Sequence, residues 1–148
     1  MTTAEMKGIT QVADAESRAF LARKHIGRIA YSLHDRISIE PISYTYDSGW
    51  ILGRTSVGTK LATLAHHPWC AFEVDEITSA VEWTSVVVKG SFYLLDPESG
   101  TPGVYAKALA SVRSLTPDAF SPCDPAPHRG ILFGIYANEI TGRSARTH

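Results

Sequence analysis

Arg54-Thr55-Ser56-Val57-Gly58-Thr59-Lys60 is the run of this 148-residue chain whose residue types and spacing suit chemistry best. Cations stand at both ends, the hydroxyls of Thr55, Ser56 and Thr59 lie between, and Gly58 leaves room for a ligand to come close. Before it, Trp50-Ile51-Leu52 reads as a strand; after it, Leu61, Leu64 and Ala65 recur at helical spacing, so the run lies at a strand-to-helix turn. The first amides of a helix lack intrahelical partners and carry the positive end of its dipole, which suits a phosphate. The run therefore reads as the phosphate end of a bound nucleotide-like cofactor. It is not a P-loop, because the glycine and lysine spacing differs, nor a dinucleotide fingerprint, because the paired glycines are missing. The same residues also suit an ordinary capped helix in which Ser56 receives the N3 amide and Lys60 is solvated.

Other reactive residue types give weaker signals. His66 and His67 end the same helix, where a cationic imidazole is favoured by the dipole; a ligand contact and a metal site are the alternatives. Cys70 and Cys123 are far apart, signal no metal site, and leave Cys70 as a reduced, buried small hydrophobe. Trp83 offers area and one N–H donor but no acid–base chemistry, so it reads as a rim or interface aromatic. No catalytic side chain stands out.

The elements that must carry these residues are mainly strands. Asp14 caps a short helix over Ala15 to His25, with Gly27 placed to end it. Ile29, Tyr31 and Leu33 then alternate with Arg28, Ala30 and Ser32; a turn at His34-Asp35-Arg36 leads into a strand from Ile37 to Tyr46, interrupted by Pro41. Asp47-Ser48-Gly49 closes a hairpin onto Trp50 to Thr55. After the phosphate turn a helix runs to about Ala65, and Trp69 to Asp75 forms a strand. A polar turn spans Glu76 to Ala80, and a long strand from Glu82 to Leu95 carries three successive valines, a pattern that implies burial on both faces. Thr101 and Pro102 open a helix with Val104, Ala108, Val112 and Leu115 on one face. A loop with three prolines precedes a closing strand over Ile131 to Ile140, and the tail frays after Arg143. This is one domain over 1–148, with 1–13 a loose lead-in. The reading is about six strands and three helices, a small antiparallel barrel with helical plugs.

Composition narrows the function classes. Fourteen Lys and Arg against fifteen Asp and Glu, interspersed, give a net charge of −1. Nucleic acid or a membrane surface would need a basic stripe. Met1 to Arg18 holds no apolar run of signal-peptide length and no window approaches a membrane span, so the cytoplasm is the expected location.

Pro41-Ile42-Ser43-Tyr44, Trp50-Ile51-Leu52-Gly53-Arg54-Thr55, Gly58-Thr59-Lys60-Leu61, Pro68-Trp69-Cys70-Ala71-Phe72-Glu73-Val74-Asp75, Trp83-Thr84-Ser85-Val86-Val87-Val88-Lys89-Gly90 and Ile140-Thr141-Gly142-Arg143 follow one another in an order that resembles a known family. It is that of the flavin-binding split-barrel proteins, relatives of pyridoxamine 5′-phosphate oxidase, and most of all the subgroup with the nitroimidazole-resistance-type reductases. The resemblance implies a six-stranded split barrel with FMN at the interface of a homodimer. It places Arg54, Thr55, Ser56, Gly58, Thr59 and Lys60 at the phosphate and ribityl chain. It places Pro41, Ile42, Ser43 and Tyr44 along the ring system, and Trp83, Ser85 and Val86 near the second protomer's flavin. Arg143 would be a strand end or a contact to the partner's cofactor. His66-His67-Pro68 stands where the family commonly has Asn-Pro, and the chain ends before the basic segment with which the true oxidases hold pyridoxamine phosphate, so that substrate is not expected. What is expected is flavin-mediated reduction of a small planar acceptor. A non-catalytic flavin carrier or redox sensor, and a related barrel holding haem or a deazaflavin, are the alternatives.

Overall fold

The structure is a computed structural model, and it describes residues 8–56, 58–98 and 102–146. Its elements are β1 (Ile9–Val12), α1 (Asp14–Arg23), β2 (Ile26–Leu33), β3 (Arg36–Ser43), β4 (Thr45–Asp47), β5 (Trp50–Thr55), α2 (Thr59–His66), β6 (Trp69–Ser79), β7 (Glu82–Leu94), α3 (Pro102–Leu115) and β8 (Ile131–Ala145). The strands form one antiparallel sheet in the order β3-β2-β6-β7-β8-β5-β4, with β1 added on β8. β8 is the organising strand: one edge pairs with β7 along most of its length, and the other takes β5 in its first half and β1 at its end.

The two outermost strands of that order, β3 and β4, are consecutive in the chain and separated only by Tyr44. The chain itself therefore carries the sheet round, while the ladder stays open along a seam between β3 and the β4–β5 hairpin. The seam is held by other means. The Tyr44 N–H donates to the His25 carbonyl at 2.9 Å, and its buried hydroxyl donates to the Leu21 carbonyl at 2.6 Å. Gly53 lets the walls approach, since a Cβ there would lie 2.8 Å from the Ser43 carbonyl oxygen and 2.9 Å from the Phe133 ring. The hairpins on either side turn on residues with positive φ, His34 and Asp35 between β2 and β3, and Ser48 and Gly49 between β4 and β5.

Strand alternation feeds two cores. Ile29, Ile51, Phe72, Val86, Val88, Phe133 and Ile135 fill the barrel, and Leu52, Leu95 and Leu132 meet Ala108 and Val112 of α3 outside it. β5 is thus apolar on both faces. Each fully buried side chain of this kind contributes about 1.5–3 kcal/mol, so these clusters fix which way each neighbouring residue of β5 points.

Several expectations are corrected. The described residues form eight strands, not six: part of the lead-in pairs with β8 as β1, and the strand expected over 37–46 breaks at Tyr44 into β3 and β4. β6 runs through the expected polar turn to Ser79, because Glu76 and Ile77 find ladder partners in Thr84 and Trp83; the turn is at Ala80 and Val81. β8 continues to Ala145 rather than fraying at Arg143, since its end is paired on both edges. Of the three valines, Val86 and Val88 are buried and Val87 is only half-buried on the outer face. Ala13, not Asp14, is the N-cap of α1, and Gly27 lies within β2 against the Phe72 ring. Thr101 and Val57 lie outside the described residues.

Candidate functional site

The strand-to-helix turn forms where expected, between β5 and α2. Because Leu52 packs under α3 and Ile51 in the barrel, Thr55 turns inward and is buried, whereas Arg54 points to the α3 side. There Arg54 meets the loop of residues 116–130. Its Nη1 and Nη2 donate to the Asp124 carboxylate at 2.6 and 3.0 Å, and the guanidinium lies over the Phe120 ring. The side chains of this pair are only 9% and 3% exposed. Asp124 also accepts from the backbone N–H groups of Phe120 and Ala126 at 2.8 and 2.9 Å. The Arg54 guanidinium first, then those two amides, hold the Asp124 carboxyl well below the usual carboxylate range against the opposing cost of burial.

Lys60 goes elsewhere. Its Nζ contacts Glu40 of β3 at 2.6 Å, and the Glu40 side chain, 39% exposed, has no other ion pair among the described residues. α2 begins at Gly58 with no side-chain hydrogen bond capping it and no acidic residue in its first turn. Its opening amides are therefore donors without a carboxylate of their own. Ser56 is half-buried and Gly58 exposed beside them, and the Thr59 side chain lies outside what the structure describes. The turn thus keeps Ser56, Gly58 and Lys60 together at the start of α2, and sends Arg54 to a different carboxylate.

The β3 residues divide by strand parity. Pro41 and Ser43 are exposed, whereas Ile42 and Tyr44 are core residues, so their side chains face the barrel. Burial pushes the Tyr44 phenol above its ordinary range, as it does the Cys70 thiol, pushed up to about 12. Ser43, Tyr44 and Arg54 line a common cavity of about 340 Å³ on the α3 side of the seam. His66 and His67 are exposed at the end of α2, where the His67 N–H caps onto the Thr63 carbonyl.

Trp83 and Ser85 lie on the outer face of the sheet, alternating with the buried Val86 and Val88. Together with Val87, Thr141 and Arg143 they line an open groove of about 430 Å³. Val86 faces the core between them, so whatever it offers a ligand is backbone. Ladder pairing aligns Asp75, Ser85 and Arg143 across three strands. Ser85 Oγ donates to Glu73 at 2.9 Å, and Arg28 contacts Glu73 and Asp75 at 3.4 and 3.0 Å. Burial and the neighbouring Asp75 raise the Glu73 carboxyl, with Ser85 and Arg28 opposing. The same face extends to Ile37 and Ile39 of β3, 80% and 68% exposed.

Sequence reasoning missed Asp124, Glu40 and Val87. Only Val87 had a signal, since it shares strand parity with Ser85; nothing in a proline-rich loop marks Asp124 as the partner of a residue seventy positions earlier.

An antiparallel barrel split at one seam, with an uncapped helix start and a lysine beside it, defines a small split-barrel protein. The sequence profile of the pyridoxamine 5′-phosphate oxidase family matches residues 13–130, and the chain belongs to that family. A protein of Rhizobium meliloti (strain 1021), itself uncharacterized, is 25% identical over 140 residues, covering 88% of this chain and 91% of its own. Among solved structures, a FAD-binding protein from Mesorhizobium loti superposes with a TM-score of 0.75 at 24% identity, over 94% of this chain and 98% of that one. A proposed 5-nitroimidazole antibiotic resistance protein from Bacteroides thetaiotaomicron gives 0.68 at 14% identity, over 95% and 90%. At these identities the likeness to the solved structures is one of fold. No helix among the described residues is long and apolar enough to cross a membrane.

Proposed function

We propose that the chain binds FMN with its phosphate at the start of α2, and works in the cytoplasm as a flavin-dependent oxidoreductase on a small planar acceptor such as a nitroaromatic or a quinone. The observation that carries this reading is the start of α2: uncapped, free of acidic residues, and flanked by a lysine with one exposed partner. Family membership gives that corner its context. The donor set fits a phosphate dianion, which favours amides and a fixed cation. Arg54 fits the same role less well, because its charge is already matched by a buried carboxylate that takes two of its five N–H donors. In this reading the phosphate ligands are the α2 amides, Ser56 and Lys60, and Arg54 is a strut for the 116–130 loop.

When bound, a flavin supplies the hydride and electron chemistry that no side chain of this chain provides. The chain's own part is to hold and orient. Pro41 and Ser43 are exposed along the seam, while Ile42 and Tyr44 stiffen it from inside. The outer face with Ile37, Ile39, Trp83 and Ser85 is the surface for a second copy, so the working unit in this reading is a homodimer. FAD is the second reading, favoured by the Mesorhizobium loti FAD-binding protein that aligns over nearly the whole chain.

Titration of the purified protein with FMN, FAD and riboflavin, followed by flavin fluorescence, tests the site. FMN is expected to bind at least about tenfold more tightly than riboflavin, a difference of about 1.4 kcal/mol for the phosphate. Equal affinities, or no binding, overturn the proposal, and FAD binding more tightly than FMN selects the second reading. Turnover is tested by anaerobic reduction with a nicotinamide donor and reoxidation with an acceptor; a rate no faster than that of free flavin leaves a carrier. Light scattering tests the assembly, with Ile37→Lys plus Ile39→Lys expected to give a monomer.

A further inference from the structure

A third hollow, of about 450 Å³, lies between α1 and the ends of β6, β7, β8 and β1. Its floor is one ladder row running across four strands: Glu76 is paired with Thr84, Thr84 with Ser144, and Ser144 with Thr10. Thr84 has the strand parity of the buried Val86 and Val88, so the row continues the inner face of the barrel past the last side chains that fill it. α1 is the wall. It comes down on β8 because Gly142 has no side chain; a Cβ there would collide with Ser17 Oγ. α1 follows β1 directly in the chain and ends beside β6, where Lys24 Nζ contacts Glu76 at 3.3 Å, so it crosses the same four strands.

The charges of this hollow are arranged in opposite pairs. Glu16, Phe20 and Arg23 line it from one face of α1, with the two charged residues two turns apart, about 10 Å along the helix axis. Glu16 has no ion pair among the described residues, since Arg18 is taken by Asp14. Arg23 has no anion among them either, yet it is not loose: its guanidinium lies 5.2 Å from the centroid of the Phe20 ring, which is itself buried. On the strand side Glu82 and Arg146 repeat the combination, again without an ion pair among the described residues. The third lining carboxylate, Glu76, is matched by Lys24.

Two carboxylates without partners thus share the hollow with two guanidiniums without partners. A ligand of a single sign would meet as many like charges as opposite ones, whereas a ligand with both signs at its two ends finds a partner for each. Hydroxyls lie between the ends. Thr10 Oγ1 and Ser144 Oγ reach one another at 3.2 Å, and Thr84 has no side-chain hydrogen bond among the described residues, so donors and acceptors remain for the middle of a ligand.

We propose that this hollow binds a short peptide with both ends free, its ammonium group at Glu16 and its terminal carboxylate at Arg23. An extended chain advances about 3.3–3.6 Å per residue, so about three residues cover the separation of the two side chains. The hydroxyl row takes the peptide's amides and carbonyls. None of the four unpaired charged groups is among the residues of the flavin reading, and Trp83, which also borders the hollow, has the outward parity of Ser85.

Calorimetry on the full chain tests it with trialanine, N-acetyl-trialanine and trialanine amide, the last two each lacking one terminal charge. Trialanine is expected to bind at least about tenfold more tightly than either blocked form. Glu16→Gln should abolish the preference over the acetylated peptide and keep that over the amide, and Arg23→Gln should do the reverse; both positions are exposed. Both variants should bind FMN as the unaltered chain does, and saturating FMN should leave the affinity for trialanine unchanged. Saturation transfer from the protein to the alanine methyl protons in the unaltered chain gives a reading that needs no variant. Absence of heat and transfer overturns the proposal, as do equal affinities for the three peptides or a preference that survives its variant. Competition between FMN and trialanine overturns it too, because the peptide would then lie in the flavin site. Failure of FMN to bind counts against the flavin reading alone, since the three peptides are compared without it.

Discussion

Arg54 and Lys60 leave the same turn, yet they meet their carboxylates in opposite ways. Asp124 is almost fully buried and held by four N–H donors, two from Arg54 and two from the backbone of its own loop. Glu40 is 39% exposed, and among the described residues its one ion pair is with Lys60. A carboxylate of the first kind cannot be exchanged for an incoming phosphate without unwinding residues 116–130. One of the second kind can swing into water and leave its cation free. Two cations of similar promise in the sequence thus become a locked strut and a cation whose partner can leave, and what separates them is the burial and the number of bonds of the partner.

The largest effect comes from breaking the locked pair. Asp124→Ala leaves a guanidinium buried without its anion and removes the group around which the loop is wound, a situation in which one-sided deletion costs far more than the pair contributes. The expected outcome is the deepest fall in Tm of any variant described here, on the order of 10 °C, by thermal unfolding at pH 7. The acid dependence has a definite sign. A carboxyl held below its unfolded value of about 3.9 contributes its full stability above that value and loses it as the pH falls toward the folded one. Asp124→Asn should flatten that acid limb, and a limb as steep as in the unaltered protein would show that the pair does not hold the loop.

Between the two pairs runs the seam, and Gly53 sets its width. Gly53→Ala pushes a methyl against the Ser43 carbonyl and the Phe133 ring, neither of which can yield cheaply, and should cost about 1–3 kcal/mol in denaturant unfolding. A loss near zero would mean that the walls do not approach so closely. Flavin affinity measured on the same variant sharpens the comparison, because Lys60 and Glu40 reach one another across the mouth of this seam while Arg54 and Asp124 do not span it.

Most of the framework was legible in the sequence, for reasons that can be located. Trp50 to Thr55 and the helix after it were read correctly because apolar alternation gave way to helical spacing within a few residues. The ends were misread where polar residues continue a ladder: Glu76 to Ser79 and Thr141 to Ala145 look like turn and tail, and only their partners on other strands keep them extended. The site was half legible. Local spacing brought Ser56, Gly58 and Lys60 to one helix start, but the destination of Arg54 depends on Asp124, which is brought there by the course of α3 and the loop and leaves no periodic trace. Strand parity was available and decides against Val86 and in favour of Val87 as the outward side chain, yet three identical residues in a row conceal it.

The exchangeable pair makes the next prediction. Lys60→Ala should weaken FMN binding about tenfold, roughly 1.4 kcal/mol, with little change in unfolding free energy, since its partner is partly solvated. Glu40→Gln should do the opposite and tighten FMN two- to fivefold, because the lysine no longer has an anion to leave. A weaker affinity in Glu40→Gln would mean that Glu40 positions Lys60 and does not compete with the phosphate.

A third pairing, on the outer face, extends the comparison to a carboxylate with too little compensation. Glu73 and Asp75 share one guanidinium, and Arg28 lies nearer to Asp75, at 3.0 Å against 3.4 Å. Burial first, and then Asp75, raise the Glu73 carboxyl, so the folded chain holds that proton more tightly than the unfolded one. Stability on this account is greatest at low pH and declines as the pH rises from the unfolded value of about 4.3 through the raised folded one, the reverse of Asp124. Glu73→Gln removes the charge, keeps an oxygen to accept from Ser85, and leaves Arg28 to Asp75. It should therefore stabilise the protein at pH 7 by at most about 1 kcal/mol, the group being partly solvated, and the gain should vanish near pH 4. Loss of stability at pH 7 would mean that the Arg28 contact to Glu73 outweighs the repulsion, and that this pair belongs with Arg54 and Asp124 as a fixed strut.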